Sequence, residues 1–292
     1  MAGGLHEADM ITGPSGIVAA TEFVRKMPGK SQAALIKASD REQYIVKWMY
    51  GPRSTTSVRL EALRNSVYQY LGLPVSAWCP IEIPEDLIDE HPQMWINTST
   101  GVIRPNPGLH FASRLLSSRD GVFYEYLPER LFSNVANRAD FWGAYAADVW
   151  TERFDIRQAV FVPDQAPGSL RAVFIDHGSA FALMTSKEAA RLTSCLYSNR
   201  RIYPETEMVN NLHDWIEEIR RHGYAAVARA IESLPSSWIS STVAEKADKF
   251  VERIQDLREI IFPSISRFSS KASKTSRKHC TVHVVLRAGQ IL

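Results

Sequence analysis

The first 116 residues alternate between short apolar runs and turn-forming residues. The segment from Gly16 to Val24 mixes β-branched and aromatic residues and predicts a strand; Pro28 and Gly29 then mark a turn. Residues 33–37 and 44–49 predict two more strands, joined by the polar Ser39-Asp40-Arg41-Glu42, so the chain opens on a small antiparallel meander. Residues 57–71 then change period. Val58, Leu60, Leu63, Val67 and Leu71 recur at roughly helical spacing, and Gly72 and Pro74 stop the pattern. A short strand is expected within 74–84, an acidic turn or short helix at 85–92, a loop-rich stretch at 93–108, and a last strand at 108–116. Beyond it, 129–150 and 186–262 are mostly helical in pattern, divided by a Phe-, Val- and Asp-rich segment at 153–183. The expected fold class is therefore α+β and two-lobed: a small, mainly antiparallel β N-lobe with one helix (1–116), then a mainly helical C-lobe (117–263).

Composition changes this picture little. The 292 residues are 45% hydrophobic and 23% charged, as in an ordinary globular chain long enough to bury its own core. Formal charge is +2, yet the six Lys and Arg after residue 260 face no acid, which leaves 28 basic against 32 acidic residues before it. A near-neutral body argues against a folded domain built to hold nucleic acid, which would carry a basic face. The basic tail, 264–292, has no helical stripe; 264–280 is expected to be mobile, and 281–286 has strand character. Cys79, Cys195 and Cys280 are far apart and odd in number, with no zinc-ligand spacing, so a reducing, cytoplasmic setting is expected. The N-terminus lacks a basic region followed by an apolar run, no stretch is apolar for the length of a membrane span, and no solenoid repeat is present.

The chemistry lies in the order of the parts. A Gly turn at Gly29 and Ser31, a strand ending in Val46-Lys47, a helix carrying Glu61, and two later acids form a series that phosphoryl transfer requires. A loop covers phosphates, a cation orients them and a carboxylate holds the metal. Asp155 stands among apolar and basic residues, where a carboxylate is costly unless it is bonded or functional. Asp176 ends the apolar run Ala172-Val173-Phe174-Ile175, with residues 163–169 as the tip of the hairpin that brings the two acids near each other.

These residues resemble the HipA-like kinases, in a compact bacterial branch. The matching segments are Val46-Lys47, Gly108 to Arg114, Asp155 to Phe161 and Ile175 to Phe181, and the resemblance spans about residues 15–262. It implies a protein-kinase-like ATP phosphotransferase, a Ser/Thr protein kinase with ATP and Mg²⁺. Asp155 matches the catalytic base, Asp176 the metal-binding Asp, Lys47 the lysine on the ATP phosphates and Glu61 its partner. Gln158 is the nearest amide for a second metal ligand, since Val160 occupies the usual place. Arg114, with Leu115-Leu116, falls at the interlobe linker where adenine binds. The chain departs from the branch at Arg153, where Asn is usual, and at Ile156, where Gly is usual. The larger HipA toxins carry a further N-terminal subdomain for which this chain has no room.

Alternatives stay open at several positions. Asp155 also fits a loop acid salt-bridged to Arg153 or Arg157, and Asp176 a strand-end cap. Arg153 fits either a phosphate clamp or a neutraliser of Asp155. Gly29 and Ser31 fit an ordinary hairpin as well as a phosphate-covering loop. His110 and His177 are assigned structural or ATP-adjacent places, because phosphoryl transfer needs no His, and Phe141, Trp142, Tyr145 and Trp150 are assigned to the core. At the level of function, a pseudokinase acting as a nucleotide- or partner-binding module and a small-molecule kinase compete with the protein kinase. The expected partners are ATP, an unidentified protein acceptor and, by family analogy, a small antitoxin-like protein, with nucleic acid only through the tail and no membrane.

Overall fold

The computed structural model describes residues 16–116, 123–178, 195–204 and 208–262. The tail, the strand pattern at 281–286, the helical pattern at 186–194 and the end of the segment 175–181, at 179–181, lie outside them. The chain forms two compact units, one of residues 16–62 and 76–115, the other of 63–75 and the described residues from 116 onward.

The first unit is a closed five-stranded barrel of β1 (Val18–Lys26), β2 (Ala34–Ala38), β3 (Gln43–Lys47), β4 (Trp78–Ile83) and β7 (Gly108–Arg114), in the order β1-β2-β3-β7-β4. The strands expected from alternation are all present, but the sheet is more than a meander. It closes through a parallel pairing of β1 with β4, Val18 opposite Ile81 and Ala19 opposite Glu82. Two register shifts along β1 against β2, at Ala20/Glu22 and Phe23/Arg25, supply the extra bend and twist that closure needs. Inside lie Val18, Ile36, Tyr44, Val46, Ile81 and Ile83, with Ala20, Ala34, Ala38 and Ala112 keeping the bore narrow. Helix α2 (Glu85–Glu90) contributes Leu87 and Ile88 to the same core. The stretch expected to be loop-rich contains two three-residue strands, β5 (Ile96–Thr98) and β6 (Gly101–Ile103), paired as a hairpin.

Helix α1 (Pro52–Tyr70) starts five residues before the expected segment 57–71, with Pro at its first position, where a missing N–H is harmless. It ends in a Schellman motif: Gly72, at φ +78°, donates to Gln69 O at 3.0 Å, and Leu73 donates to Tyr68 O at 3.0 Å. Its residues up to Ala62 group with the barrel and those from Leu63 with the second unit.

The second unit is built around α3 (Asp140–Trp150), in which every residue after Asp140 is buried, including the four aromatics assigned to the core. Helix α4 (Met208–Ser233) packs on it so closely that a Cβ on Gly143 would stand 2.3 Å from the Trp215 ring. Helix α5 (Ser241–Arg253) caps the end of α3: Arg253 donates to the carbonyls of Val149 at 2.9 Å and Trp150 at 3.0 Å, placing a cation at a helix C-terminus. The segment expected at 153–183 forms the hairpin β8 (Gln158–Pro163) and β9 (Leu170–Ile175). Among the described residues no helix is long and apolar enough to cross a membrane.

Candidate active site

In the barrel unit the alternation of β3 decides where Lys47 points. Val46 is fully buried in the bore, so its neighbour faces outward, and the Lys47 ammonium meets the Glu61 carboxylate of α1 at 2.6 Å. The side chains are only 17% and 5% exposed. A pair so far out of water gains little net stability over an apolar contact.

Gly29 and Ser31 sit in the turn between β1 and β2. Gly29 has φ +112°, a backbone that favours glycine, and Ser31 is exposed. Because Ala34 pairs with Val46, this turn lies at the same end of the barrel as Lys47. Arg114 is separated from them. It lies opposite Tyr44 on β7, whereas Lys47 lies opposite Phe111, an odd number of residues away and therefore on the other face of the strand. Its guanidinium pairs with Glu42 at 2.6 Å. His110 is buried: Nδ1 accepts from Met49 N at 3.0 Å and Nε2 faces Asn106 O at 2.8 Å, so the ring is neutral and burial lowers its pKa.

The second unit brings the two acid-bearing segments together through an arginine that the sequence left ambiguous. The Arg153 side chain is fully buried and donates to the backbone carbonyls of Asp155 (2.7 Å), Ile156 (3.2 Å) and, twice, Asp176 (3.0 and 2.7 Å). Arg157 adds a third bond to Asp176 O at 3.1 Å. These donors hold Asp176 in a left-handed backbone, φ +57°. Its carboxylate accepts from Gln158 Nε2 at 2.7 Å, so the two residues assigned to a metal are neighbours.

Charge balance for the arginines comes from Asp148, a lone acid in the otherwise apolar body of α3. Asp148 Oδ2 lies 3.3 Å from Arg153 and 3.2 Å from Arg157 Nε, the latter an ion pair without hydrogen-bond alignment. Oδ1 accepts from the Tyr68 hydroxyl at 2.8 Å. Burial is the largest single influence on Arg153 and works against its charge, but Asp148 together with Tyr68, Asp176 and Cys195 outweighs it and the pKa is raised; for Arg157, burial and the neighbouring Arg153 lower it. Arg157 also reaches His177 Nδ1 at 3.2 Å, and since arginine only donates, the His177 hydrogen is on Nε2, facing Phe174 O at 3.2 Å. Both histidines are thus bound within their own units. The buried placement of Arg153 also bears on the alternatives for it: its guanidinium grips backbone in the interior, not a phosphate at the surface.

No protein-family model and no curated protein sequence matches the chain. Solved structures do. The Golgi casein kinase aligns over 90% of this chain and 75% of its own, with TM-score 0.52 at 11% identity. The Helicobacter pylori proinflammatory kinase CtkA aligns over 88% and 98%, with TM-score 0.50 at 10% identity. The chain has a protein-kinase-like fold. A second structure of the Golgi casein kinase, holding Mn and ADP, aligns with TM-score 0.50 at 11% identity over 87% of this chain and 75% of that one. The Shewanella oneidensis HipA, in complex with HipB and operator DNA, gives TM-score 0.48 at 12% identity over 82% and 68%. The sequence singles out Lys47, Glu61, Asp155, Gln158 and Asp176, and names Arg153 and Arg157 beside the acids, but passes over Asp148. Asp148 had left one signal, a charge in a run that is otherwise buried and apolar.

Proposed function

We propose that the chain is an ATP-dependent, Mg²⁺-requiring phosphotransferase of the HipA-like kinase kind, acting on a Ser or Thr hydroxyl of a protein. The observation that carries this reading is the shielded Lys47–Glu61 pair, from β3 to α1, in a kinase-like fold. On this reading the barrel unit serves as the N-lobe up to about residue 116, and the helical unit as the C-lobe.

Each residue then has a separate task. Lys47, held by Glu61, orients the nucleotide's phosphates, and the turn with Gly29 and Ser31 covers them. Asp155 orients the acceptor hydroxyl and takes its proton as the new O–P bond forms and the bond to the ADP oxygen breaks. Asp176 and Gln158 offer hard oxygen donors of the type Mg²⁺ prefers, Gln158 after its amide turns over to present oxygen. Among the described residues no group of three or more His, Cys, Asp or Glu is poised for a metal. A partial donor set suits an ion that completes its shell with phosphate oxygens and water. When bound, Mg²⁺ supplies neutralisation of charge on the phosphates. The buried network of Asp148, Arg153 and Arg157 keeps the two acid-bearing segments in register without touching substrate.

A pseudokinase is the second reading, favoured by Val160. It stands where a kinase offers a second metal-binding amide, and it is only 6% exposed within β8. Calorimetric titration of the full chain with ATP, ADP and adenosine, with and without Mg²⁺, tests the assignments. Lys47→Met should remove most of the preference for ATP over adenosine, and Asp176→Asn the gain on adding Mg²⁺. Nucleotide binding of the wild type without ADP production from ATP would favour the pseudokinase; no binding would overturn the kinase and a nucleotide-binding pseudokinase alike.

A further inference from the structure

Gln32 closes the β1–β2 turn in a left-handed backbone, φ +47°, which a non-glycine residue adopts only against steric resistance. That backbone accompanies an unusual pair of bonds. The Gln32 side-chain amide donates through Nε2 to Asn97 O at 2.6 Å and accepts through Oε1 from Asn97 N at 2.9 Å, pairing with the β5 backbone as a strand neighbour would. The Gln32 carbonyl accepts the indole N–H of buried Trp48 at 3.2 Å. On the other flank of the turn, Lys26 Nζ donates to Trp95 O at 2.5 Å. The turn's own backbone closes with Met27 N on Ala33 O at 2.7 Å and Gln32 N on Gly29 O at 3.3 Å. An ordinary hairpin needs only those last two bonds. Here both flanks are tied in addition to residues 95–97, more than sixty positions along the chain.

We infer that Gln32 is a positioning residue: by clasping Asn97 it holds the β1–β2 turn, with Gly29 and Ser31, in one conformation, so that the turn receives a nucleotide's phosphates already ordered. This rests on the nucleotide reading proposed above. Ordering the turn before binding removes an entropic cost that a free turn would meet on closing over phosphates. The β5–β6 hairpin is then the anchor of the phosphate turn.

The test uses the full chain as wild type, Gln32→Ala and Gln32→Asn. Asn tolerates the left-handed backbone and keeps the amide, but is one methylene too short to reach Asn97. Amide hydrogen exchange is followed at Met27, Gln32 and Asn97, with Ile36 and Ile45 in the β2–β3 ladder as internal controls, and ADP with Mg²⁺ is titrated into each protein. The expected result is exchange on the order of tenfold faster at the three turn and hairpin amides with the controls unchanged, accompanied by several-fold weaker ADP binding in both variants. Unchanged exchange at Asn97 overturns the clasp. Faster exchange with unaltered ADP affinity overturns the positioning role and leaves the clasp a purely structural tie. Failure of the wild type to bind ADP overturns the nucleotide reading, and the positioning role with it, while the exchange data still decide whether the clasp exists.

Discussion

Replacing Asp148 with Asn is the sharpest test of how the second unit is held together. The substitution keeps the size of the side chain but removes the carboxylate that lies 3.3 Å from Arg153 and 3.2 Å from Arg157, with all three side chains fully buried. Two guanidinium groups then lose their closest counter-charge in the interior, and one of the two acceptor oxygens becomes an N–H₂ donor. Breaking a buried ion pair from one side costs about 3–5 kcal/mol. Against a typical total of about 5–15 kcal/mol, that is a large share of the stability of this unit. Tyr68→Phe is the calibrating variant. It deletes only the hydroxyl that bonds Asp148 at 2.8 Å and Thr151 Oγ1 at 2.8 Å, and should cost about 1–2 kcal/mol. Urea unfolding followed by tryptophan fluorescence gives both values, since Trp142 and Trp150 lie on α3. A cost for Asp148→Asn below about 1 kcal/mol, or no larger than that of Tyr68→Phe, would refute the role given to Asp148 as the charge balance of the arginine network.

Other consequences follow from particular contacts. Gly143→Ala drives a methyl to within 2.3 Å of the Trp215 ring and should cost about 1–3 kcal/mol, seen as a lower denaturation midpoint with unchanged slope. His110 has its folded pKa lowered by burial from 6.5, so the unfolded chain protonates first. Its contribution is complete above pH 6.5 and is lost as pH falls from there toward the lower folded value. Stability measured from pH 8 to 5 should therefore drop more steeply in wild type than in His110→Gln across that window, and equal slopes would count against a neutral, buried ring. Lys47→Met and Glu61→Gln should each reduce phosphotransfer on the order of a hundredfold or more while the barrel still unfolds cooperatively, as measured by initial rates beside thermal melts.

Much of this architecture was legible because local periodicity carries it. The strands of the barrel, the stop of α1 at Gly72 and the hairpin flanking residues 163–169 all follow from alternation and turn chemistry. What escaped is non-local or contrary to propensity. Helix α1 begins within Pro52-Arg-Ser-Thr-Thr, where all but Arg53 are poor helix formers and none carries the apolar stripe, with Ser54 Oγ donating to Trp48 O at 2.6 Å beside the first turn. Barrel closure by β1 on β4 pairs residues some sixty apart and leaves no mark in either strand. At the site, the sequence identified the acids but offered Asp155 as the partner for Arg153 and Arg157. The side chains of both arginines reach Asp148, which the sequence reading does not name, because burial of α3 carries that carboxylate into the interior where a counter-charge is required. Gln32 gave no signal at all, since its partner is backbone at Asn97. Arg114, chosen for its place at the end of the last barrel strand, lies on the strand face away from Lys47, a matter of register that spacing alone does not disclose.

The central claim, transfer of the ATP γ-phosphate, is tested most directly by incubating the full chain with γ-labelled ATP, Mg²⁺ and a mixture of acceptor proteins, beside Asp155→Asn and Asp176→Asn. The account predicts label on Ser or Thr of protein with the wild type and its loss in both variants, each still folded by thermal melt. Label that persists in Asp155→Asn and Asp176→Asn, or its absence from the wild type across acceptors and divalent metals, would contradict it.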